Sequence, residues 1–361
     1  MLRRYFTIFT VLSLLTLTGA SCISAGSGAV SGPMGMYRSS DNGENWQTIS
    51  IFPSTKGVLS ITGLKVFRYY LDPSDHNAIY LTTRGQGLYY SYNNGESWQT
   101  TPALAGSFLY GLAIDPKDKC TIYVAGADKV YKTDDCMRTW KTVYIEQRLS
   151  ERFASLVIDS KDNKMIYAAQ LNGDLLLSRD AGKSWSTMNR FGKYLQYMVN
   201  DPMAPGRLYI ATYREGLIRS DDQGKTWVEL GEGLKNFSGG KDFYRLILNP
   251  GQKDRLFWVS KYGILRSDDA GKTWAELKLI TPPGSVNIYA FAINPDNQKE
   301  IYYTGTILGE KNTHVRSTFY KTTDGGANWV TKKMPTNTIP GMMFLHPDDP
   351  KMLFMGFTTF Q

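Results

Sequence analysis

Seven acidic or amide side chains recur at one place in a repeated phrase, and they are the first candidates for chemistry. They are Asp41, Asn93, Asp135, Asp180, Asp222, Asp269 and Asp324. Each follows a Ser or Thr by two residues and precedes a tryptophan: Trp46, Trp98, Trp140, Trp185, Trp227, Trp274 or Trp329. Carboxylates of this kind could bind a metal or act as general acid and base. Here they stand one per repeat and tens of residues apart, unlike the clustered ligands of a calcium loop. The phrase S/T-x-D-x-G-x-x-W reads instead as a hairpin turn. The carboxylate accepts hydrogen bonds from backbone N–H groups and the hydroxyl adds another. Gly takes the positive-φ position, and the Trp packs its ring onto the hairpin or the next one. The second copy has Asn93 for Asp, and the third has Met137 for Gly.

Other reactive types are sparse. His76, His314 and His346 fall in different repeats, and neither zinc spacing nor a nucleophile elbow occurs. No catalytic residue, metal or other cofactor is therefore expected. Cys120 and Cys136 lie at opposite ends of the stretch TIYVAGADKVYKTDD. With the turn near Asp128 they face each other across two strands and can form a disulfide; the alternative is two buried thiols.

The elements that position these residues come from a second phrase. Apolar residues lead to a D/N-P type turn and then an Ile-Tyr type pair, as in LDPSDHNAIY at 71–80, NDPMAPGRLY at 200–209 and LHPDDPKMLF at 345–354. Pro ends the first strand because it cannot donate to the ladder. With a G-L-Y-R-S type strand and another leaving the Trp, each unit has four strands. Four strands per period of about 45 residues predicts a propeller blade. The chain starts with strands three and four of a blade and finishes with strands one and two. The expectation is a single all-β, seven-bladed propeller over residues 34–361, four antiparallel strands per blade. Its last blade is closed by strands from both termini, with no further domain.

The chain has 361 residues, 42% hydrophobic and 20% charged, so a packed domain rather than disorder is expected. The net charge of +8 comes without a dense Lys/Arg run, so anionic surfaces fit and nucleic acid is not expected as a partner. Residues 1–22 read as an export signal. Arg3 and Arg4 precede an apolar stretch from Tyr5 to Leu17, too short for a comfortable membrane span. Small residues then lead to Cys22, which fits a lipoprotein signal with Cys22 lipidated; ordinary secretion with cleavage near Ser21 or Ala25 is the alternative. Residues 23–33 are rich in Gly and Ser and read as a flexible tether. The expected location is the cell envelope, with contact to the membrane through the N-terminal lipid.

The seven boxes make the chain similar to the Asp-box, or BNR, propeller families. Seven-bladed members with this phrasing include Ycf48-like proteins, the sortilin-type propeller and xyloglucanase-type glycoside hydrolases. The resemblance implies the fold and places the boxes away from ligand sites; it does not imply one function. A BNR sialidase would carry an F/Y-R-I-P segment, and Arg68 in FRYYLDP has no Ile-Pro after it. Xyloglucanase-type enzymes face two propellers across a cleft.

Propeller ligands usually meet the face made by the loops before the first strand and between the second and third. Arg84, Arg214 and Lys261 lie in such loops, and Arg68, Arg245 and Tyr244 at the starts of inner strands. Phe67, Tyr110, Arg152, Tyr197 and Tyr289 accompany them. Arginine interleaved with tyrosine can hold a carboxylate, sugar or peptide, although inner-strand aromatics also serve packing between blades. Extra length at Ile51 to Lys65 and Gly305 to Tyr320 reads either as two further binding surfaces or as loops where drift in length is tolerated. The leading expectation is a monomeric binding or assembly module for a protein, peptide or glycan. The alternative is a glycoside hydrolase, which needs two upper-face carboxylates about 5–10 Å apart; Asp174, Glu215 and Glu310 are the candidates.

Overall fold

The computed structural model describes residues 32–249 and 251–360. Residues 1–31, with the expected signal, Cys22 and most of the tether, lie outside the described residues. Among the described residues, seven four-stranded antiparallel sheets form a seven-bladed propeller. The innermost strands are Val66–Asp72, Gly111–Asp115, Phe153–Ile158, Leu195–Asn200, Phe243–Leu248, Phe291–Ile293 and Ile339–Leu345, in blades 1 to 7. Blade 7 is shared between the two ends of the chain. Leu353–Thr358 pairs with Ile339–Leu345 on one side and with Gly35–Ser39 on the other, which closes the ring and leaves no long open edge there.

The core is a ring of layers rather than one centre, because each blade stacks on a neighbour through both faces. Second strands such as Ile166–Gln170 and Leu208–Thr212 are buried throughout, whereas outer strands such as Val228–Glu229 and Ala275–Glu276 are short and exposed. Apolar clusters fill the gaps between adjacent blades. One, between blades 2 and 3, joins Tyr123 and Val130 to Leu156 and Ile166. Another, across the closing seam of blades 7 and 1, joins Met36 and Phe354 to Ile79 and Leu81.

The repeated phrase folds as a turn of fixed geometry. Ser39 Oγ donates to Asp41 Oδ1 at 2.7 Å and accepts the Gly43 N–H at 2.8 Å. Asp41 in turn accepts the Asn45 N–H at 2.8 Å and its side-chain amide at 2.7 Å. The same pattern recurs at Asp135 with Thr139, Asp180 with Ser184, Asp222 with Thr226, Asp269 with Thr273 and Asp324 with Asn328. The polar residue just before the Trp is thus a motif position as well. Each Trp packs on the preceding blade, not the next: Trp46 of blade 7 meets Phe319 of blade 6 edge-on, and Trp185 of blade 3 joins the cluster between blades 2 and 3. The boxes share the lower face with the first turns of the blades, as when the Ala181 N–H donates to Lys164 O at 2.9 Å.

Hydrogen bonding holds these carboxyls down. The Asn45 N–H, then Ser39, brings Asp41 to about 2; the hydroxyls and then the N–H groups of Thr139 and Ser184 do the same for Asp135 and Asp180. Folded values lie below unfolded ones, so this stabilisation is complete above the unfolded carboxyl value of about 4 and fades as pH falls through about 2. The carboxylates of these turns are expected to make thermal midpoints fall steeply between about pH 4 and 2. A midpoint unchanged at the acid end would show that the boxes do not hold the blades.

Blade 2 departs from the pattern in a local way. Met137 keeps the left-handed conformation of the missing glycine, with φ of 67°, and its side chain fills the layer between blades 1 and 2. Its neighbour Cys136 forms a disulfide with Cys120, their Cα atoms 4.0 Å apart. Two hairpins project from the ring. Ile51–Ser54 pairs with Gly57–Ser60 outside the blades, and Ile301–Leu308 runs with His314–Thr322 beyond the rest of blade 6.

Candidate binding site at the channel mouth

Three arginines converge where the inner strands begin. Arg68, from blade 1, reaches across the channel. Its Nη1 donates to Tyr110 O at 2.5 Å and Ala154 O at 3.0 Å, and its Nη2 to Gln196 O at 3.2 Å. It thereby joins blades 2, 3 and 4. Arg245, from blade 5, donates to Tyr289 O and Gly341 O and joins blades 6 and 7. These two guanidiniums satisfy main-chain carbonyls that point into the central channel, away from the strand ladders. Both were binding candidates on sequence; the fold engages much of their hydrogen-bonding capacity internally.

Arg84 differs. It sits in the turn TRGQG, between the second strand of blade 1 (Asp75–Thr83) and the third (Leu88–Ser91). Thr83 Oγ1 donates to Gly87 O at 2.8 Å and accepts the Gln86 N–H at 3.0 Å. The Gln86 side chain binds the main chain of Lys65 and Gly63. Gly87, at φ of 91°, passes so close to Leu104 O that a Cβ would lie 2.6 Å from it. The loop is therefore fixed, and it aims Arg84 inward. Cζ of Arg84 lies 5.0 Å from the Phe67 ring, 5.8 Å from Phe108 and 5.5 Å from Phe360. Its Nε is buried and has no hydrogen-bond partner among the described residues. No carboxylate pairs with it among them.

The three cations share one field. Burial, then Arg68, pulls Arg84 below the usual arginine range. Burial brings Arg245 down to about 10; Tyr69 opposes this and Arg68 and Arg84 add to it. An anion entering here would relieve that repulsion in a partly dry site, where charge-assisted hydrogen bonds are strong. Aromatic walls complete the mouth. Phe108 stacks on Tyr110 with centroids 4.4 Å apart, Phe67 meets Phe108 edge-on at 5.1 Å, and Arg68 lies 4.7 Å from the Tyr197 ring. Tyr244 donates to Asn287 Oδ1 at 2.9 Å and packs beside Tyr289; burial raises both tyrosine hydroxyls.

The remaining candidates lie farther out. Arg214 pairs with Asp242 at 3.1 Å and is mostly exposed. Lys261 is exposed beside the same loop, and Arg152 bonds the main chain of Leu149 and Glu151. Sequence reasoning missed Phe108 and Phe360, which lie just outside the strands of their blades. It also missed a buried ionic cluster on the upper face between blades 2 and 3. There Arg148 donates to Glu146 through Nε and Nη2, both at 2.9 Å, to Asp174 at 2.8 Å and to Gln170 at 2.8 Å. Arg148 is what brings Glu146 to about 2. Of the carboxylates named as hydrolase candidates, Asp174 is thus bound by Arg148, Glu215 pairs with Lys193 at 3.2 Å, and Glu310 is exposed on the blade 6 hairpin. On the lower face the fold brings together two histidines that sequence placed in separate repeats. His76 and His346 meet across the blade 1–blade 7 seam with ring centroids 6.3 Å apart.

The family described as Sortilin, neurotensin receptor 3, matches residues 35–174. A xyloglucanase from Paenibacillus sp is 26% identical over 242 residues, 55% of this chain and 23% of its own length. Sortilin from Danio rerio is 22% identical over 193 residues, 48% of this chain and 23% of its own length. The chain thus spans under a quarter of the length of these curated relatives. Among solved structures, a GH74 enzyme from Niastella koreensis aligns with a TM-score of 0.62 at 15% identity, covering 81% of this chain and 51% of that one. A structure of Ycf48 bound to D1 peptide aligns with a TM-score of 0.58 at 15% identity, covering 82% and 94%. At these identities the structural likeness concerns the propeller fold.

Proposed function

We propose that this is a binding or assembly propeller, exported and held at the membrane through a lipidated Cys22. Its channel mouth takes a protein or peptide segment that presents a carboxylate. The observation that carries the reading is Arg84: a fixed, aromatic-walled guanidinium, its Nε buried, with no anion beside it among the described residues. A solved Ycf48 structure of the same fold holds a peptide, which supports a peptide over other ligands.

The test is a peptide library with free C-terminal carboxylates and its amidated twin. A charge-assisted hydrogen bond contributes about 1.5–3 kcal/mol, so Arg84→Ala is expected to weaken the best binder roughly 10- to 100-fold. Equal binding of acid and amide forms by both proteins would sink the reading, and selection only by acidic glycans would move the ligand class. For location, Cys22→Ala is expected to move the protein from the membrane to the soluble fraction of its host. An unchanged distribution would remove the lipid anchor from the proposal.

The hydrolase alternative draws support from the likeness to xyloglucanases. A general acid needs a carboxyl raised toward neutrality. On the upper face Glu146 shows the reverse, held at about 2 by Arg148, the guanidinium that also binds Asp174. That chemistry suits a structural clamp.

A further inference from the structure

Phe360 is the odd member of the mouth. Phe67 belongs to the inner strand of blade 1, and Phe108 is fixed by its stack on Tyr110. Phe360 follows the last paired strand, Leu353–Thr358, and 37% of its surface is exposed. Its ring lies 5.5 Å from the Arg84 guanidinium carbon and 5.1 Å, edge-on, from the Tyr289 ring. It therefore spans from blade 1 to blade 6, next to the residue whose carbonyl holds Arg245. An aromatic face compensates a desolvated guanidinium only in part, and a carboxylate does so far better. Two walls of the slot are rigid, and the third is a side chain with no strand to hold it.

We propose that Phe360 is a built-in occupant of this site, filling the place that an aromatic side chain of the ligand takes when it binds. The ligand class is then a peptide in which an aromatic residue adjoins a carboxylate, with the carboxylate on Arg84 and the ring in the slot that Phe360 leaves. This rests on the channel mouth being the binding site, and it adds both the ligand's second feature and an autoinhibitory contact. Displacing a cation–π contact of this kind lowers the apparent affinity by about three- to tenfold, because only the open fraction binds.

The test uses the full chain with 4-fluorophenylalanine at position 360, and N-acetylphenylalanine as the probe with its amide as control. The acid is expected to shift the fluorine resonance toward that of a solvent-exposed ring, and the amide is expected to leave it in place. Phe360→Ala is expected to bind the acid about three- to tenfold more tightly than the parent. Binding of the acid with an unmoved resonance and no gain in Phe360→Ala would overturn the displacement while leaving Arg84 as a carboxylate site. No binding of the acid to either protein would overturn the aromatic ligand class, and the Arg84→Ala comparison with the peptide library separates that result from failure of the site itself.

Discussion

Trp98→Ala is expected to destabilise the protein by about 3–5 kcal/mol, the range for removing a fully buried large aromatic. The seven motif tryptophans look equivalent in sequence, yet Trp98 is 0% exposed. The reason is the hairpin inserted between blades 7 and 1. Its leading segment lies over the ring: Trp98 Nε1 donates to Ile49 O at 2.8 Å and its backbone N–H donates to Ile51 O at 2.8 Å. Removing the indole opens a cavity in the layer that joins the first and last blades and leaves the Ile49 carbonyl without that donor. Trp329, half-buried and packed edge-on against Tyr303 at 5.0 Å, is expected to cost about half as much on the same substitution. Chemical denaturation of both variants checks this. Equal losses would mean that the inserted hairpin contributes nothing to the seam.

Arg148→Ala should produce the second large effect, and one with a reversed pH dependence. Glu146 and Asp174 have side-chain exposures of 4% and 8%, and Arg148 is their shared counter-ion. Removing one partner of a fully buried pair costs about 3–5 kcal/mol. Arg148 is itself 47% exposed, so water discounts this to about 2–3 kcal/mol. In the parent, Glu146 has a folded value below its unfolded one, so its contribution is present above the unfolded value and fades as pH falls through about 2. Without the guanidinium, burial pushes the Glu146 carboxyl above its unfolded value, while Asp174 keeps Arg190 at 3.6 Å. The variant is then least stable near neutrality and regains stability as the pH falls toward about 5. Thermal melts of parent and variant from pH 7 to 5 should converge; parallel curves would show that Glu146 is not desolvated as the fold implies. A hydrolase would instead lose turnover on Asp174→Asn while keeping its stability.

The architecture was legible because the repeat carries it locally. Ser39, Asp41, Gly43 and Trp46 lie within eight residues, and the hydrogen bonds of the Ser39 and Asp41 side chains are made within that span. A local device repeated seven times sets the number of blades, and the positions of the partial repeats at either end set the shared blade. Arg84 was legible as a loop residue with little packing duty, which set it apart from Arg68 and Arg245 at the starts of inner strands, though not from Arg214 and Lys261.

What separates the three arginines of the channel mouth is where carbonyls from other blades fall. Arg68 meets Ala154 and Gln196, 86 and 128 residues away, and Arg245 meets Gly341 from blade 7. Arg84 finds rings instead, two from blades 1 and 2 and one from Phe360. The same distinction applies to Glu146 and Asp174, which only the packing of blade 2 on blade 3 brings to one guanidinium. Short-range hydrogen bonds and turn sterics are written in consecutive residues, so the sequence alone determined the blades and their closure. The channel mouth depends on side chains from blades far apart along the chain, whose meeting follows from the curvature of the whole ring. Only the tertiary structure decided which cations it engages internally and which it leaves for a ligand.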